Sequence, residues 1–106
     1  TTILTIPSPC SEHSDVRELI ICFSEYYGVD THKALRIAAC ESGLSAAAFN
    51  SLYGASGVYQ HLRNYWPGRV KEYGAPEGTS PFDAYWNVRI SMEMFRRNMF
   101  HHWVCK

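Results

Sequence analysis

Four cysteines in a chain of 106 residues constrain the fold more than any other feature of this sequence. They stand at positions 10, 22, 40 and 105, with no Cys-x-x-Cys pair and no paired Cys/His spacing of the kind that holds zinc. An even cysteine count in a short chain favours two disulfides in an exported protein. The alternative is four buried free thiols in a cytosolic protein. The cysteines alone leave all three disulfide connectivities open.

Size and charge limit the class of protein. A chain of this length is expected to form one domain, residues 1–106, around a single hydrophobic core. Ten basic and ten acidic side chains cancel, so the sequence lacks the basic footprint of a nucleic-acid binder. No apolar run reaches the roughly 18 residues of a membrane span. The sequence opens at Thr1 without a charged-then-apolar leader, and we expect a mature or trimmed, secreted, monomeric chain.

The N-terminal quarter of the chain predicts an arm followed by a helix. Residues 1–13 hold two prolines and several hydroxyls, and we expect them to form an extended arm. Asp15 and Glu18 match a capping box, which begins a helix over residues 15–27. Gly28 supplies the stop.

A second, shorter helix is predicted from His32 to about Glu41, with Asp30 or Thr31 as its cap and Gly43 at its end. It leaves Glu41 half in the core at the C-terminal end of an apolar helix. Burial and the negative end of the helix dipole both disfavour a carboxylate charge and raise the carboxyl pKa, which suits a general acid. The alternative is an ordinary glutamate in a last turn, which the local sequence alone favours.

Residues 44–61 show no clean period, and their glycines, asparagine and serines mark turns. Residues 58–60 could form a short strand or begin a helix. Irregular segments of this length are often functional. We predict that this one is packed against the domain, because it carries Phe49, Tyr53, Val58 and Tyr59.

Two more helices complete the predicted all-α domain, which has no convincing strand pair. A short helix spans 66–73, and a capping Ser80 begins the longest helix, which runs to about Phe100. Its stripe of methionines and aromatics is typical of a core face. His101 and His102 point about 100° apart on a helix, which makes them poor joint ligands. We therefore expect no metal and no cofactor.

Short motifs at ordered spacings add a family resemblance to this reading. The sequence contains Glu41-Ser42-Gly43-Leu44, then Ala48-x-Asn50, then Gly54-Ala55-Ser56-Gly57-Val58-Tyr59-Gln60. Tyr27-Gly28-Val29-Asp30 and Ala34-Leu35-Arg36-Ile37-Ala38 precede them, and Phe82-Asp83 through Asn87-Val88 follow. The ordered set, over residues 16–105, resembles the lytic transglycosylase and goose-type lysozyme family, glycoside hydrolase family 23.

The resemblance implies a compact lysozyme-like helical domain that cleaves the β-1,4 bond between N-acetylmuramic acid and N-acetylglucosamine in peptidoglycan. It puts Glu41 on the catalytic acid/base and Gln60 on the turn glutamine that lines the sugar cleft. We expect further saccharide contacts from Ser42, Asn50, Tyr59 and Tyr85. Aromatic faces suit sugar rings, although each of these aromatics could equally belong to the core.

The sequence departs from the family pattern in two places. Val58-Tyr59 stands where Leu-Met or Leu-Phe is usual, and the Ala-Tyr-Asn-x-Gly motif of many members is missing, so we expect cleft-side aromatics to replace its contacts. The ending Trp103-Val104-Cys105, with Cys40 before the glutamate, is similar to small secreted actinobacterial and phage-type members and to resuscitation-promoting factors. That similarity implies a Cys40–Cys105 disulfide, which leaves Cys10 to pair with Cys22.

A second catalytic acid is not apparent. Two-carboxylate glycosidases hold the second acid about 5–9 Å from the first. The candidates Glu72, Glu77 and Asp83 stand at no recognisable family spacing and are more typical of caps or surface charges. We therefore expect a single-acid reaction that forms a 1,6-anhydro product. A hydrolytic muramidase and a non-catalytic peptidoglycan-binding module are the alternatives.

Overall fold

The computed structural model describes residues 8–105. Most of the regular structure in this range is helical. In chain order the elements are α1 Val16–Tyr27, α2 Thr31–Ser42, β1 Phe49–Asn50, β2 Ala55–Ser56, α3 Trp66–Glu72, α4 Ala84–Arg96 and a 3₁₀ turn Phe100–His102. The prediction of a compact, mostly helical domain is confirmed. Residues 1–7 of the predicted arm lie outside the described residues, and residues 9–12 form turns instead of an extended arm.

Aspartate caps begin the first two helices. The Asp15 carboxylate accepts the N–H of Glu18 at 3.2 Å, and the Asp30 carboxylate accepts the N–H of Lys33 at 3.0 Å. Asp30, and not Thr31, is therefore the cap of α2. Both helices end as predicted, at glycines in the left-handed conformation.

The start of α4 differs from the prediction by one turn. The Ser80 hydroxyl accepts the N–H of Phe82 at 3.0 Å, so it shapes a turn that precedes the helix. The Asp83 carboxylate accepts the N–H of Trp86 at 3.2 Å and is the actual cap. Ser80 and Asp83 are both residue types that can cap a helix. Asp83, which lies closer to the apolar stripe of α4, is the one that caps it.

The end of α4 also differs, because the helix stops at Arg96 and not near Phe100. Asn98 adopts a left-handed conformation with φ of 61°. The N–H of Met99 then bonds to the carbonyl of Met94 at 3.0 Å, which is the outer bond of a Schellman helix end. Asparagine tolerates this conformation better than most residues, and it ends the helix without a glycine.

The core lies where α1 packs against α2 and α4. The stripe predicted on α4 faces this core, except that Phe82, which precedes the helix, is exposed. The largest fully buried side chains of the three helices are Leu19, Ile20, Phe23, Ile37, Val88, Ile90, Met92 and Met94. A single apolar core thus holds the described residues together.

A two-stranded antiparallel sheet accompanies the helices, where the sequence showed no convincing strand pair. Phe49 pairs with Ser56 and Asn50 with Ala55, and Ser56 also forms a bridge to His61. Strands this short give no sequence period, so the pattern could not reveal them. The domain is helical with a minimal sheet.

The irregular segment around this sheet is only half packed. Residues 54–59 are buried, with Val58 and Tyr59 fully so. Phe49 and Tyr53, which we predicted to be packed, are exposed by 52% and 72%. The tip of the hairpin projects from the domain, whereas the turn after β2 belongs to the core.

Both disulfides have the predicted pairing. Cys10 is bonded to Cys22 and Cys40 to Cys105, with Cα atoms 5.9 Å apart in each pair. On the chain-entropy view, closing a 65-residue loop through Cys40 and Cys105 stabilises the fold by about 4 kcal/mol. Two disulfides fit an exported protein. No helix among residues 8–105 is long and apolar enough to cross a membrane.

The turn after β2 is attached to α4 by a buried amide. Asn87 Oδ1 accepts the N–H of Tyr59 at 3.0 Å, and Asn87 Nδ2 donates to the carbonyls of Ser56 at 3.2 Å and Pro81 at 2.7 Å. These bonds pair the Tyr59 N–H and the Pro81 carbonyl, and they give the Ser56 carbonyl a second donor beside the N–H of His61. The backbone passes so close to this amide that residue 57 must be glycine. A Cβ on Gly57 would overlap both the Pro81 carbonyl and Asn87 Nδ2.

We predict that Gly57→Ala is strongly destabilising. Gly57 and Gly78 share a left-handed φ of 82°, but nothing lies within 4 Å of a Cβ at Gly78. Gly78→Ala is thus a matched control that carries only the backbone strain, about 1–2 kcal/mol. Gly57→Ala should cost about 1–3 kcal/mol more in unfolding free energy, because it overpacks the core. Chemical denaturation measures both, and equal losses would contradict the role of Asn87.

Candidate active site

Glu41 stands at the last full turn of α2, one residue before the end of the helix. Gly43 follows with φ of 65°, and its N–H bonds back to the carbonyl of Ala39 at 2.9 Å. The chain therefore turns away sharply after Ser42. This geometry leaves the Glu41 carboxylate half-buried at the rim of the core.

The Cys40–Cys105 disulfide brings the C-terminal tail beside Glu41. Burial raises the pKa of the Glu41 carboxyl above its usual range, and the backbone N–H of Cys105 offsets part of that rise by hydrogen bonding to the carboxylate. The C-terminal end of the α2 dipole acts in the same direction as burial. A carboxyl with these surroundings holds its proton to higher pH than an exposed glutamate, as a general acid requires.

The tail that carries Cys105 is itself anchored in the core. Trp103 is buried, and its indole N–H donates to the carbonyl of Tyr59 at 2.8 Å. The Trp103 ring also packs against Phe95 at 4.6 Å between ring centroids and against His61 at 5.7 Å. The neighbour of Glu41 is therefore held from both sides, by the disulfide and by the indole.

None of the predicted alternative acids adds to the pKa shift of Glu41. Asp83 caps α4, and Glu72 forms an ion pair with Arg97 at 3.2 Å. Glu77 lines a cavity beside α3. Each of these acids has the cap or surface role that its sequence context favours. The pKa of Glu41 is raised by burial, without a contribution from a neighbouring carboxylate.

The side chains of Ser42 and Gln60 form hydrogen bonds with backbone groups. The Ser42 hydroxyl donates to the carbonyl of Ala38 at 3.2 Å and accepts the N–H of Ser45 at 3.2 Å, so it closes the helix end. Gln60 has a left-handed φ of 53°, and its Nε2 donates to the carbonyls of Ala48 at 3.1 Å and Gly57 at 3.0 Å. Both residues thus shape the loops that follow Glu41. Their contacts with saccharide stay a prediction.

Tyr59 is wrong as a saccharide contact, because its side chain is fully buried. Its hydroxyl donates to the carbonyl of Ala34 at 2.8 Å, and its ring meets Phe95 edge-on. Burial raises the pKa of this phenol well above its usual range. The core alternative for this aromatic is the correct one.

Tyr85 and Asn50 lie in other parts of the domain. The Tyr85 hydroxyl donates to the carbonyl of Pro9 at 2.9 Å and accepts from Arg89 at 2.9 Å, which places it between α4 and the N-terminal turn. Asn50 is exposed at the start of the hairpin, where its Oδ1 accepts the N–H of Leu52 at 3.0 Å. The described hydrogen bonds of these two side chains do not involve Glu41, and their substrate roles stay predictions.

A hydrogen-bond network around the buried His61 was not predicted from the sequence. Arg69 can only donate, so its bond of 2.9 Å to His61 Nδ1 places the histidine proton on Nε2. That Nε2 donates to the Ser91 hydroxyl at 2.6 Å, which in turn donates to the carbonyl of Asn87 at 2.7 Å. Burial and the Arg69 charge hold the pKa of His61 well below its usual range. His61 is therefore a neutral core residue whose two nitrogens are occupied, which removes it from the possible metal ligands.

The sequence held partial signals for this network. Asn87 and Ser91 lie one helical turn apart within an apolar stretch of α4, which is the pattern of a polar pair that must be satisfied in a core. The sequence around His61 and around Arg69 does not predict their contact, because the contact joins an irregular loop to a short helix. Among residues 8–105, the cluster closest to a metal-ligand set is Glu12, His13 and Cys22, and Cys22 is already bonded to Cys10.

Two concave sites lie away from Glu41. A cavity of about 620 Å³ is bounded by α3 and the 75–79 loop, with Trp66 and Val70 in its wall. A second, of about 410 Å³, lies between the hairpin tip and residues 62–65. Glu41 lines neither.

Comparison of the chain with models of known protein families gives no matching family, and comparison with curated proteins gives no significant match.

We predict that Glu41→Gln stabilises the fold at neutral pH. Because the folded pKa of Glu41 is raised, its charge penalises the folded state above the ordinary glutamate pKa of about 4.3, and the penalty vanishes below it. The gain should be small, since the carboxylate is partly solvated. Thermal unfolding of both proteins from neutral pH down to about pH 3 measures it. Glu72→Gln, which removes a carboxylate from an exposed ion pair, is the control and should give no gain. A loss of stability in Glu41→Gln at neutral pH would contradict the raised pKa.

Proposed function

We propose that the protein is a peptidoglycan lytic transglycosylase of the lysozyme-like type, with Glu41 as its only catalytic acid/base. The observation that carries the proposal is the half-buried Glu41 carboxyl, whose pKa is raised by burial and which stands at a helix end beside a disulfide-held tail. The motif resemblance over residues 16–105 supports the same assignment. The two disulfides fit the oxidising space outside the cytoplasm, where this substrate lies.

The proposed reaction begins with a proton transfer. The protonated Glu41 carboxyl donates to the glycosidic oxygen while the bond from that oxygen to C1 of N-acetylmuramic acid breaks. The 2-acetamido group of the same sugar stabilises the positive charge that develops at C1. No second enzyme carboxylate is needed for this step, which agrees with the absence of any acid among the causes of the Glu41 pKa shift.

The second step reverses the role of Glu41. Its carboxylate removes the proton from the 6-hydroxyl of the same sugar, and the 6-oxygen bonds to C1. The product is a 1,6-anhydro sugar, and the glutamate is again protonated. The raised pKa serves both steps, because it brings the acid and base forms closer to equal population near the working pH.

The tail supplies the rigidity that such a glutamate needs. Proton transfer requires the carboxylate within hydrogen-bond reach of the glycosidic oxygen. Cys40 precedes Glu41 and is bonded to Cys105, whose N–H faces the carboxylate. We assign to this disulfide a positioning role with no chemistry of its own.

We predict that Glu41→Gln reduces wall lysis by at least about 100-fold, the usual contribution of a general acid. The amide has nearly the same shape but cannot donate and recover a proton. Turbidity clearing of Gram-positive cell walls measures the rate. Glu72→Gln, which alters an exposed ion pair, is the matched control and should keep full activity. Undiminished lysis by Glu41→Gln would remove the proposal. A wild-type protein that binds walls without clearing them would instead be a binding module.

We predict 1,6-anhydro ends in the products of digested peptidoglycan. Attack by the sugar's own 6-hydroxyl yields a product one water lighter than the hydrolytic one, so mass spectrometry separates them. The test needs no variant, and a hydrolysing lysozyme is the reference. Products that carry only reducing ends would make the protein a muramidase.

A further inference from the structure

Arg69 is a half-buried cation on α3 with an unusual set of neighbours. Its Nη1 donates to His61 Nδ1 at 2.9 Å, and its guanidinium carbon lies 5.2 Å from the centre of the Tyr65 ring. Burial lowers the pKa of the guanidinium from its usual value. Neutral groups therefore provide the close contacts of this charge.

Within residues 8–105, no carboxylate lies within 4.0 Å of Arg69. The ion pairs in this range are Glu72 with Arg97 and Glu12 with His13. Partly buried charges in proteins are normally paired with an opposite charge, because the loss of hydration is costly. The four N–H groups of Arg69 that His61 does not use form a planar fork suited to a carboxylate.

His102 adds a second donor to the same place. Its ring lies 6.4 Å from the ring of Tyr65, which is exposed, and the Arg69 and His101 charges both act on it. Burial and these two charges lower the pKa of His102. An anion placed here would thus meet Arg69, His102 and Tyr65, while the Glu72 carboxylate, whose charge also acts on Arg69, is paired with Arg97 at 3.2 Å.

The site is connected to Glu41 by the tail. Two residues lie between His102 and Cys105, so their Cα atoms lie at most about 10 Å apart. The Cys105 N–H faces the Glu41 carboxylate. The tail therefore links the Arg69 cluster to the surroundings of Glu41 through the segment from His102 to Cys105.

We propose that Arg69, His102 and Tyr65 form a binding site for a carboxylate of the acidic peptide stems that branch from the glycan. The identity of the ligand rests on the proposed function, since peptidoglycan carries such a stem on each N-acetylmuramic acid. The observations on Arg69 do not depend on the proposed function. These are its contacts with His61 and Tyr65 and the lack of a carboxylate within 4.0 Å among residues 8–105. The site gives the enzyme a preference for strands that retain their stems.

The test is a binding titration with the full chain and a synthetic stem peptide of alanine, γ-linked glutamate, lysine and alanine with free carboxylates. The same peptide with every carboxylate amidated is the comparison. The His102 ring signals in an NMR spectrum, recorded at constant pH, report occupancy. We expect the acidic peptide to bind at least about tenfold more tightly than the amidated one, the scale of one charge-assisted bond.

Matched variants locate the site. Arg69→Gln should weaken binding of the acidic peptide by at least about tenfold. Arg17→Gln, an exposed arginine on α1, removes the same charge elsewhere and should leave the affinity unchanged. Because Arg69 also bonds to His61, His102→Ala is included as an exposed-site variant that keeps the core intact. It should weaken binding at least twofold, read from the signals of Tyr65.

Three outcomes would overturn the proposal. They are equal binding of the amidated peptide, unchanged affinity in both site variants, and tighter binding of inorganic phosphate than of the peptide. Peptide binding does not depend on cleavage, so the two proposals can fail separately. Stem binding without any wall lysis removes the catalytic proposal and keeps this site, whereas lysis without stem binding does the reverse.

Discussion

The packing of this domain depends on three hydrogen bonds from one amide. Asn87, which is fully buried in the core, bonds to backbone groups of Ser56, Tyr59 and Pro81. An unsatisfied backbone group in such a place costs about 1–3 kcal/mol. Because these bonds hold the turn after β2 against α4, they also fix the Tyr59 carbonyl to which the Trp103 indole donates. The tail, and through it the surroundings of Glu41, follow from the position of that amide.

The proposed site places function and stability in opposition. Glu41 could be more exposed, and its charge would then be better hydrated, but its pKa would fall toward that of an ordinary glutamate. The fold tolerates the buried carboxyl because disulfides and the apolar core supply stability elsewhere. Catalytic groups are commonly held in unfavourable surroundings at the expense of stability. Arg69 shows the same opposition, since its charge is half-buried and no carboxylate of residues 8–105 lies within 4.0 Å of it.

Features set by neighbouring residues were predictable, and features set by distant ones were not. The cap Asp15 depends on a side chain reaching three residues ahead, and the sequence predicted it. For α2 the sequence offered Asp30 or Thr31, and for α4 it predicted Ser80 where Asp83 is the cap. The burial of Tyr59 and the contact between His61 and Arg69 depend on how a periodless segment packs, which no local pattern encodes. In the site, Glu41 and its half-burial followed from a helix end that could be located. The side chains around it come from loops and the tail, so only the motif resemblance could suggest them.

The pairing of Cys40 with Cys105 has a consequence for the order of assembly. Contacts between residues close in the chain form early, and α1 with α2 is such a local pair. The bond between Cys40 and Cys105 spans 65 residues and requires the tail to be seated through Trp103. Seating of Trp103 in turn requires the turn that presents the Tyr59 carbonyl. The surroundings of Glu41 are therefore completed last, after the helical core exists. If Glu41 has the proposed role, a nascent chain would become active only at the end of oxidative folding, when Cys40 and Cys105 have been joined.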